Sequence, residues 1–93
     1  MFEPLDPLLH QQVRLAVISL LAGVKSAEFK YLLEHIDTTK GNLSFQLSKL
    51  SDAGYIVIKK KLTGSYPQTI CSITDTGLEA FQGYIAALQT YLK

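Results

Sequence analysis

The chain of 93 residues holds one cysteine, Cys71. A lone cysteine excludes an internal disulfide and fits a reducing compartment. Long apolar runs are missing as well. The longest extends from Leu15 to Val24, interrupted by Ser19 and Gly23, and is about half of the ~20 residues a membrane-spanning helix needs. No secretory leader pattern stands out, so the sequence predicts a cytoplasmic protein with no membrane partner. Metal-ligating groups are sparse: His10, His35 and Cys71 fall on three separate predicted elements, whereas a metal site needs clustered ligands. His35, near a helix carboxyl end, reads as compensating the dipole. Cys71, between Ile70 and Ser72 on a strand, reads as a buried, inert thiol. There is no nucleophile–base pair, glycine-rich phosphate loop or paired carboxylate motif, and Gly77 and Gly83 stand isolated. We read no enzyme, no metal and no cofactor.

What is present is one domain's worth of chain, residues 1–93, with a modest core for its size. The net charge of +1 conceals an uneven distribution. From Thr38 to Ile73 five lysines (Lys40, Lys49, Lys59, Lys60, Lys61) stand against one acid, Asp52, a net of +4. The remainder, with Arg14, Lys25, Lys30 and Lys93 against seven acids, carries −3. A basic block of this kind favours a polyanionic partner, because neutralised phosphates supply most non-specific affinity for nucleic acid.

The most informative segment is TTKGNLSFQLSKLSDAGYIVI, Thr38 to Ile58. Leu43, Leu47 and Leu50 recur at i, i+4 and i+7, one narrow apolar stripe of a helix over about 40–53. Thr39 is placed to cap its start and Gly54 to end it in a left-handed conformation. Off the stripe lie Lys40, Gly41, Asn42, Ser44, Gln46, Ser48 and Lys49, with Phe45 about 200° round from Leu43 at roughly 100° per residue. A face of Asn, Ser, Gln and Lys suits the major groove, where base edges are read by donors and acceptors. Phe45 fits a thymine methyl or a protein partner.

The other elements follow from periodicity. Asp6 and Pro7 start a first helix over about 7–22, ended by Gly23. It is apolar on two sides, and the stripe with Leu8, Leu15 and Ile18 suggests a second subunit as neighbour. Val24 and Lys25 suggest a short strand. Ser26 caps a helix over about 27–36 with Phe29, Leu32, Leu33 and Ile36 inward. Tyr55 to Lys61 and Thr69 to Ile73 form a hairpin, about 55–73, around a loop at 62–68 marked by Gly64 and Pro67. Thr74 caps a last helix over about 75–92. There Phe81, Tyr84, Ile85, Leu88, Tyr91 and Leu92 belong to an apolar arc wider than one neighbour demands, with Lys93 on the polar side. The fold class is α+β, mostly helical: a helix-turn-helix followed by a hairpin, with the first and last helices joining two subunits.

With these residues placed, the chain resembles winged-helix transcriptional regulators of the MarR/ArsR-like kind. It resembles most a small single-domain subgroup with the pattern T-x-G-N-L-S-x-H-L-x-K-L-x-x-A-G-Y-I. Thr39, Gly41, Asn42, Leu43, Ser44, Leu47, Lys49, Leu50, Ala53, Gly54, Tyr55 and Ile56 match it. In the subgroup's second motif, after the wing, Pro67, Thr69, Thr74, Gly77, Ala80 and Phe81 match, with Ile73 replacing a leucine. The chain departs at Gln46, where the pattern has histidine, at Ser65 and Tyr66, where an arginine is usual, and at Leu78, which also replaces an arginine.

The resemblance implies a homodimer on double-stranded DNA, one recognition helix per half-site and the wing on the backbone or minor groove. The DNA-facing set would be Lys40, Gly41, Asn42, Ser44, Phe45, Gln46, Ser48 and Lys49 from the helix, with Lys59, Lys60, Lys61 and Tyr66 from the wing. Gln46 retains the ability to bond adenine in a paired fashion. The dimer set would be Leu8, Leu15, Ile18, Phe81, Tyr84, Ile85, Leu88, Tyr91 and Leu92. A small-molecule effector would sit in the dimer interface, with Tyr31, Tyr84 and Tyr91 to line its crevice, though ordinary packing accounts for all three. The competing expectation is a protein–protein interaction module with little DNA affinity, favoured by Phe45 and the arginine-free wing.

Overall fold

The computed structural model describes residues 1–92. Four helices and three strands follow in the order α1 (Gln12–Val24), β1 (Ser26–Glu28), α2 (Phe29–His35), α3 (Lys40–Asp52), β2 (Ile56–Thr63), β3 (Tyr66–Ile73) and α4 (Asp75–Gln89). The expected α+β, mostly helical winged-helix fold is what forms. Among the described residues no helix is long and apolar enough to cross a membrane.

The first helix starts five residues later than the sequence predicts. Asp6 organises a tight turn instead: its Oδ1 accepts from the Leu8 N–H, and its carbonyl accepts from the N–H groups of Leu9 and His10. Gln11 is then extended, and its side chain accepts from the Arg14 N–H, so Gln11 rather than Asp6 caps α1. Nor does Gly23 end the helix. The N–H of Lys25 bonds to the Leu21 carbonyl, and the Lys25 carbonyl accepts from Ile73. That pairing with β3 holds Lys25 at φ 74°, a conformation costly for a residue with a Cβ.

Ser26 is a strand residue paired with Ser72, not a helix cap. The strand lies two residues beyond the expected Val24–Lys25, and α2 is correspondingly shorter, starting at Phe29. Thr39 and Thr74 do cap their helices, each hydroxyl accepting the N–H three residues on, from Asn42 and Gly77 respectively. Gly54 leaves α3 at φ 79°. The last helix ends at Gln89, where bonds from Tyr91 to Leu88 and from Leu92 to Gln89 tighten it into a 3₁₀-like turn. Lys93 lies outside the described residues.

The sheet is antiparallel in the order β1-β3-β2, which leaves β2 as a long edge strand. The hairpin is tighter than the sequence predicts. Pairing continues to Thr63 opposite Tyr66, so the turn is only Gly64–Ser65, with Gly64 at φ 65°. Pro67 therefore sits within β3 opposite Leu62. It is tolerated because β1 pairs only with residues 70–72, so no strand on that side needs its missing N–H.

Period two decides which strand residues are buried. Ile56, Ile58, Cys71 and Ile73 face the helices, while Val57, Lys59, Lys61 and Ser72 face the other way. The core joins Leu9, Val17, Ile18 and Leu21 to Leu32, Leu43, Leu47, Leu50, Ile56 and Cys71. Burial pushes the Cys71 thiol up to about 11, so it stays protonated and inert.

Candidate nucleic-acid interface

Leu43, Leu47 and Leu50 are buried, and their stripe fixes α3 against the core. The opposite side is open: Lys40, Gly41, Ser44, Phe45, Ser48 and Lys49 are all exposed. Phe45, 57 % exposed, stands near the middle with the Lys49 ammonium 5.0 Å from its ring centroid. That is cation–π distance. The Ser48 hydroxyl donates to the Ser44 carbonyl one turn back.

Gln46 is the exception, and the expectation that it lies on the open face is corrected. It is 8 % exposed. Its Oε1 accepts from Nη1 of Arg14, and its Nε2 donates to Oδ1 of Asn42 at 3.2 Å. The spacing explains this: position 46 is three residues after Leu43 and four before Leu50, inside the inward arc. A polar side chain in that arc needs a partner, and Arg14 on α1 supplies one. Arg14 is also held by its Nε–H, which donates to the Leu8 carbonyl at 2.6 Å.

Asn42 is half-buried at the first turn of α3, and its Nδ2 donates to the Thr38 hydroxyl at 2.9 Å. A single polar relay therefore runs from α1 to the start of the recognition helix, through Arg14, Gln46, Asn42 and Thr38. Arg14 and Thr38 were not singled out from the sequence. Arginine on a helix otherwise rich in apolar residues was the available signal.

The three consecutive lysines of the wing do not act as one cluster. Lys60 points to the helix side of β2 and shares a cleft of about 260 Å³ with Lys40, Ser44, Leu47, Ile58, Phe29 and Thr69. Lys59 and Lys61 alternate to the outer face, on the side of Val57. Tyr66, 76 % exposed, is at the tip beside the turn. One positively charged cleft thus has the start of α3 as one wall and the wing as the other.

The surface of α1 and α4 also sorts differently from its sequence expectation. Ile18 is fully buried and Tyr84 only 4 % exposed, so neither is available to a second subunit. The Tyr84 hydroxyl lies 3.0 Å from Nδ1 of His10, which a long apolar arc does not reveal in advance. Leu8, Leu15, Phe81 and Leu88 are half-buried against the core. Ile85, Tyr91 and Leu92 remain exposed.

The short amino-terminal arm expected over Met1 to Asp6 lies along α4. Phe2 stacks on Tyr91 at 4.8 Å between centroids, the Tyr91 hydroxyl donates to the Glu3 carbonyl, and the Glu3 N–H donates to the Thr90 hydroxyl. Within one chain Tyr31, Tyr84 and Tyr91 pair separately, with His35, His10 and Phe2. Among the described residues no three His, Cys, Asp or Glu side chains gather where a metal ion could be held.

Comparison with known proteins places this architecture. The model of a family described as a winged helix DNA-binding domain matches residues 13–92. An uncharacterized protein of Methanocaldococcus jannaschii is 40 % identical over 73 residues, covering 78 % of this chain and 79 % of that protein. A solved transcriptional regulator homologue from Pyrococcus horikoshii superposes with a TM-score of 0.84 at 27 % identity, covering 91 % of this chain and 84 % of the other. A PadR family transcriptional regulator from Eggerthella lenta shares the fold, with a TM-score of 0.70 at 18 % identity over 86 % of this chain and 78 % of its own. The matched family and both solved structures are described as DNA-binding or transcription-regulating, not as enzymes.

Proposed function

The chain belongs to the winged helix DNA-binding domain family, and from that premise we propose that it is a dimeric, sequence-specific transcriptional regulator. The observation that carries the reading is the shared cleft of Lys40, Ser44 and Lys60 beside the open face of α3. A helix seated in a major groove needs phosphate contacts on its flanks and polar groups toward base edges. Lys40, Lys49 and Lys60 take the first role, with the Gly41 backbone close to the strand. Asn42, Ser44 and Ser48 take the second, and Phe45 meets a thymine methyl. Tyr66 and the outer lysines Lys59 and Lys61 reach the backbone or minor groove beyond the helix. Gln46, expected among the readers of bases, supports them from beneath.

Pairing of two domains is the second part of the proposal. Ile85, Tyr91, Leu92 and Phe2 are exposed apolar side chains on α4, its last turn and the arm packed on it. Half-buried Leu8, Leu15, Phe81 and Leu88 add further apolar surface to the same pair of terminal segments.

The test is a mobility shift of random-sequence duplex at rising salt, followed by selection from a randomised duplex pool. Log affinity should fall linearly with log salt, and selection should return a site with two related halves. A folded protein that fails to retard duplex at low salt would be the interaction module instead, with Phe45 as its contact.

A further inference from the structure

The relay beneath α3 has a fixed direction. Arginine has donors and no acceptor, so the group of Gln46 that meets Arg14 must be its oxygen. This removes the usual ambiguity between the two ends of an amide. The Gln46 NH₂ is then turned toward Asn42 and must meet an acceptor, which is the Asn42 oxygen. Asn42 in turn directs its NH₂ toward Thr38, whose hydroxyl accepts. Each amide orientation is dictated by the one behind it, starting from a side chain that has no alternative.

We propose that Arg14, acting through Gln46, sets the sense in which Asn42 presents its amide at the DNA surface, and so selects the base at one position of the site. The inference rests on the DNA-binding reading above. The Asn42 oxygen is engaged from inside the molecule, whereas its NH₂ gives one hydrogen to Thr38 and keeps a second. Asn42 therefore acts as a donor. Donors in the major groove meet N7 and O6 of guanine, N7 of adenine or O4 of thymine, whereas cytosine offers only a donor of its own. Gln46 is a positioning residue: it specifies a base without touching it.

Gln46→Glu tests this with almost no change in shape. A carboxylate still accepts from Arg14, but its second oxygen can no longer donate. Asn42 must then turn its NH₂ inward and its oxygen toward Thr38, whose hydroxyl can donate as readily as accept. Selection from a randomised duplex pool would be run with the natural chain, Gln46→Glu and Asn42→Ala. At the position that Asn42→Ala makes indifferent, the natural chain should disfavour cytosine by about tenfold. Gln46→Glu, which turns the Asn42 oxygen outward, should admit cytosine and reject guanine and thymine there, with other positions unchanged.

A loss of stability alone would not reverse a preference at one position. If Gln46→Glu fails to fold, the double variant Arg14→Met, Gln46→Leu frees Asn42 and removes both side-chain partners together, leaving the half-buried Leu8 carbonyl without the Arg14 donor. Preference at that position should then collapse to less than about threefold. Two folded variants that select the same base as the natural chain would overturn the relay and leave DNA recognition intact. A natural chain that binds duplex but selects no sequence, or binds none, would overturn both.

Discussion

The Tyr55 hydroxyl donates to Oδ2 of Asp6 at 2.5 Å, joining residues 49 positions apart in the chain. Asp6 uses its other oxygen to hold the turn before α1, so one carboxylate fastens the amino-terminal segment to the exit of the recognition helix. Tyr55→Phe should cost about 1–2 kcal/mol in denaturant unfolding, because the carboxylate loses a partner in a half-buried place. The same bond, followed by burial and the Asp6 charge, pushes the Tyr55 hydroxyl from 10.0 up to about 12. Between those values the folded chain keeps a proton that the unfolded chain releases, so the stabilisation is complete below about pH 10 and is lost as pH rises toward 12. Tyr55→Phe should flatten that part of the alkaline stability curve.

Gly77 is pressed against the same region. A Cβ built there would lie 2.2 Å from the Tyr55 carbonyl oxygen, a backbone atom that cannot step aside. Gly77→Ala should destabilise by roughly 2–4 kcal/mol. Gly83, in the same helix, has nothing within 4 Å of its corresponding Cβ position. Gly83→Ala should instead gain about 0.5–1 kcal/mol from helix propensity. Thermal melts of the two variants side by side check the contrast. Equal melting temperatures would mean that α4 does not dock on Tyr55 as described.

The alternation along β2 separates the lysines experimentally. Lys60→Ala should reduce the slope of log affinity against log salt by about one, since it removes a phosphate contact beside α3. Lys61→Ala, on the outer face, should reduce it by less than half as much. Equal slopes for the two variants would mean that the duplex does not enter the cleft between α3 and the wing.

For assembly, Ile85 is the informative position, being 38 % exposed on α4 while neighbouring Tyr84 is internal. Ile85→Asp should yield folded monomers by light scattering, with unchanged far-ultraviolet circular dichroism. Affinity for a two-half site should fall by more than tenfold, as expected when two linked contacts become independent. A natural chain that is monomeric at the concentrations where it binds such a site would contradict the pairing.

The parts of the fold legible in the sequence were those fixed by neighbours along the chain. Thr39, Gly54 and Thr74 act within one turn of where they stand, and the stripe of Leu43, Leu47 and Leu50 follows from helix geometry alone. The misread parts depend on partners distant in sequence. Gln46 turns inward because Arg14, 32 residues earlier, meets it. Tyr84 is internal because His10, 74 residues earlier, lies against it. Ser26 becomes a strand residue because β3 arrives later to pair with it. For the wing, alternation was readable in advance, but which side of β2 the recognition helix covers was a question of packing.

The outer margin of β2 has a consequence unrelated to regulation. It is eight residues long and turns alternate backbone amides away from β3, the kind of seam onto which a stranger's strand can be stitched until fibrils grow. Lys59, Lys60 and Lys61 make such stitching costly through like-charge repulsion. A variant in which all three were apolar would therefore lose colloidal solubility as well as the wing's share of phosphate affinity, and turbidity would betray it before any assay of DNA did.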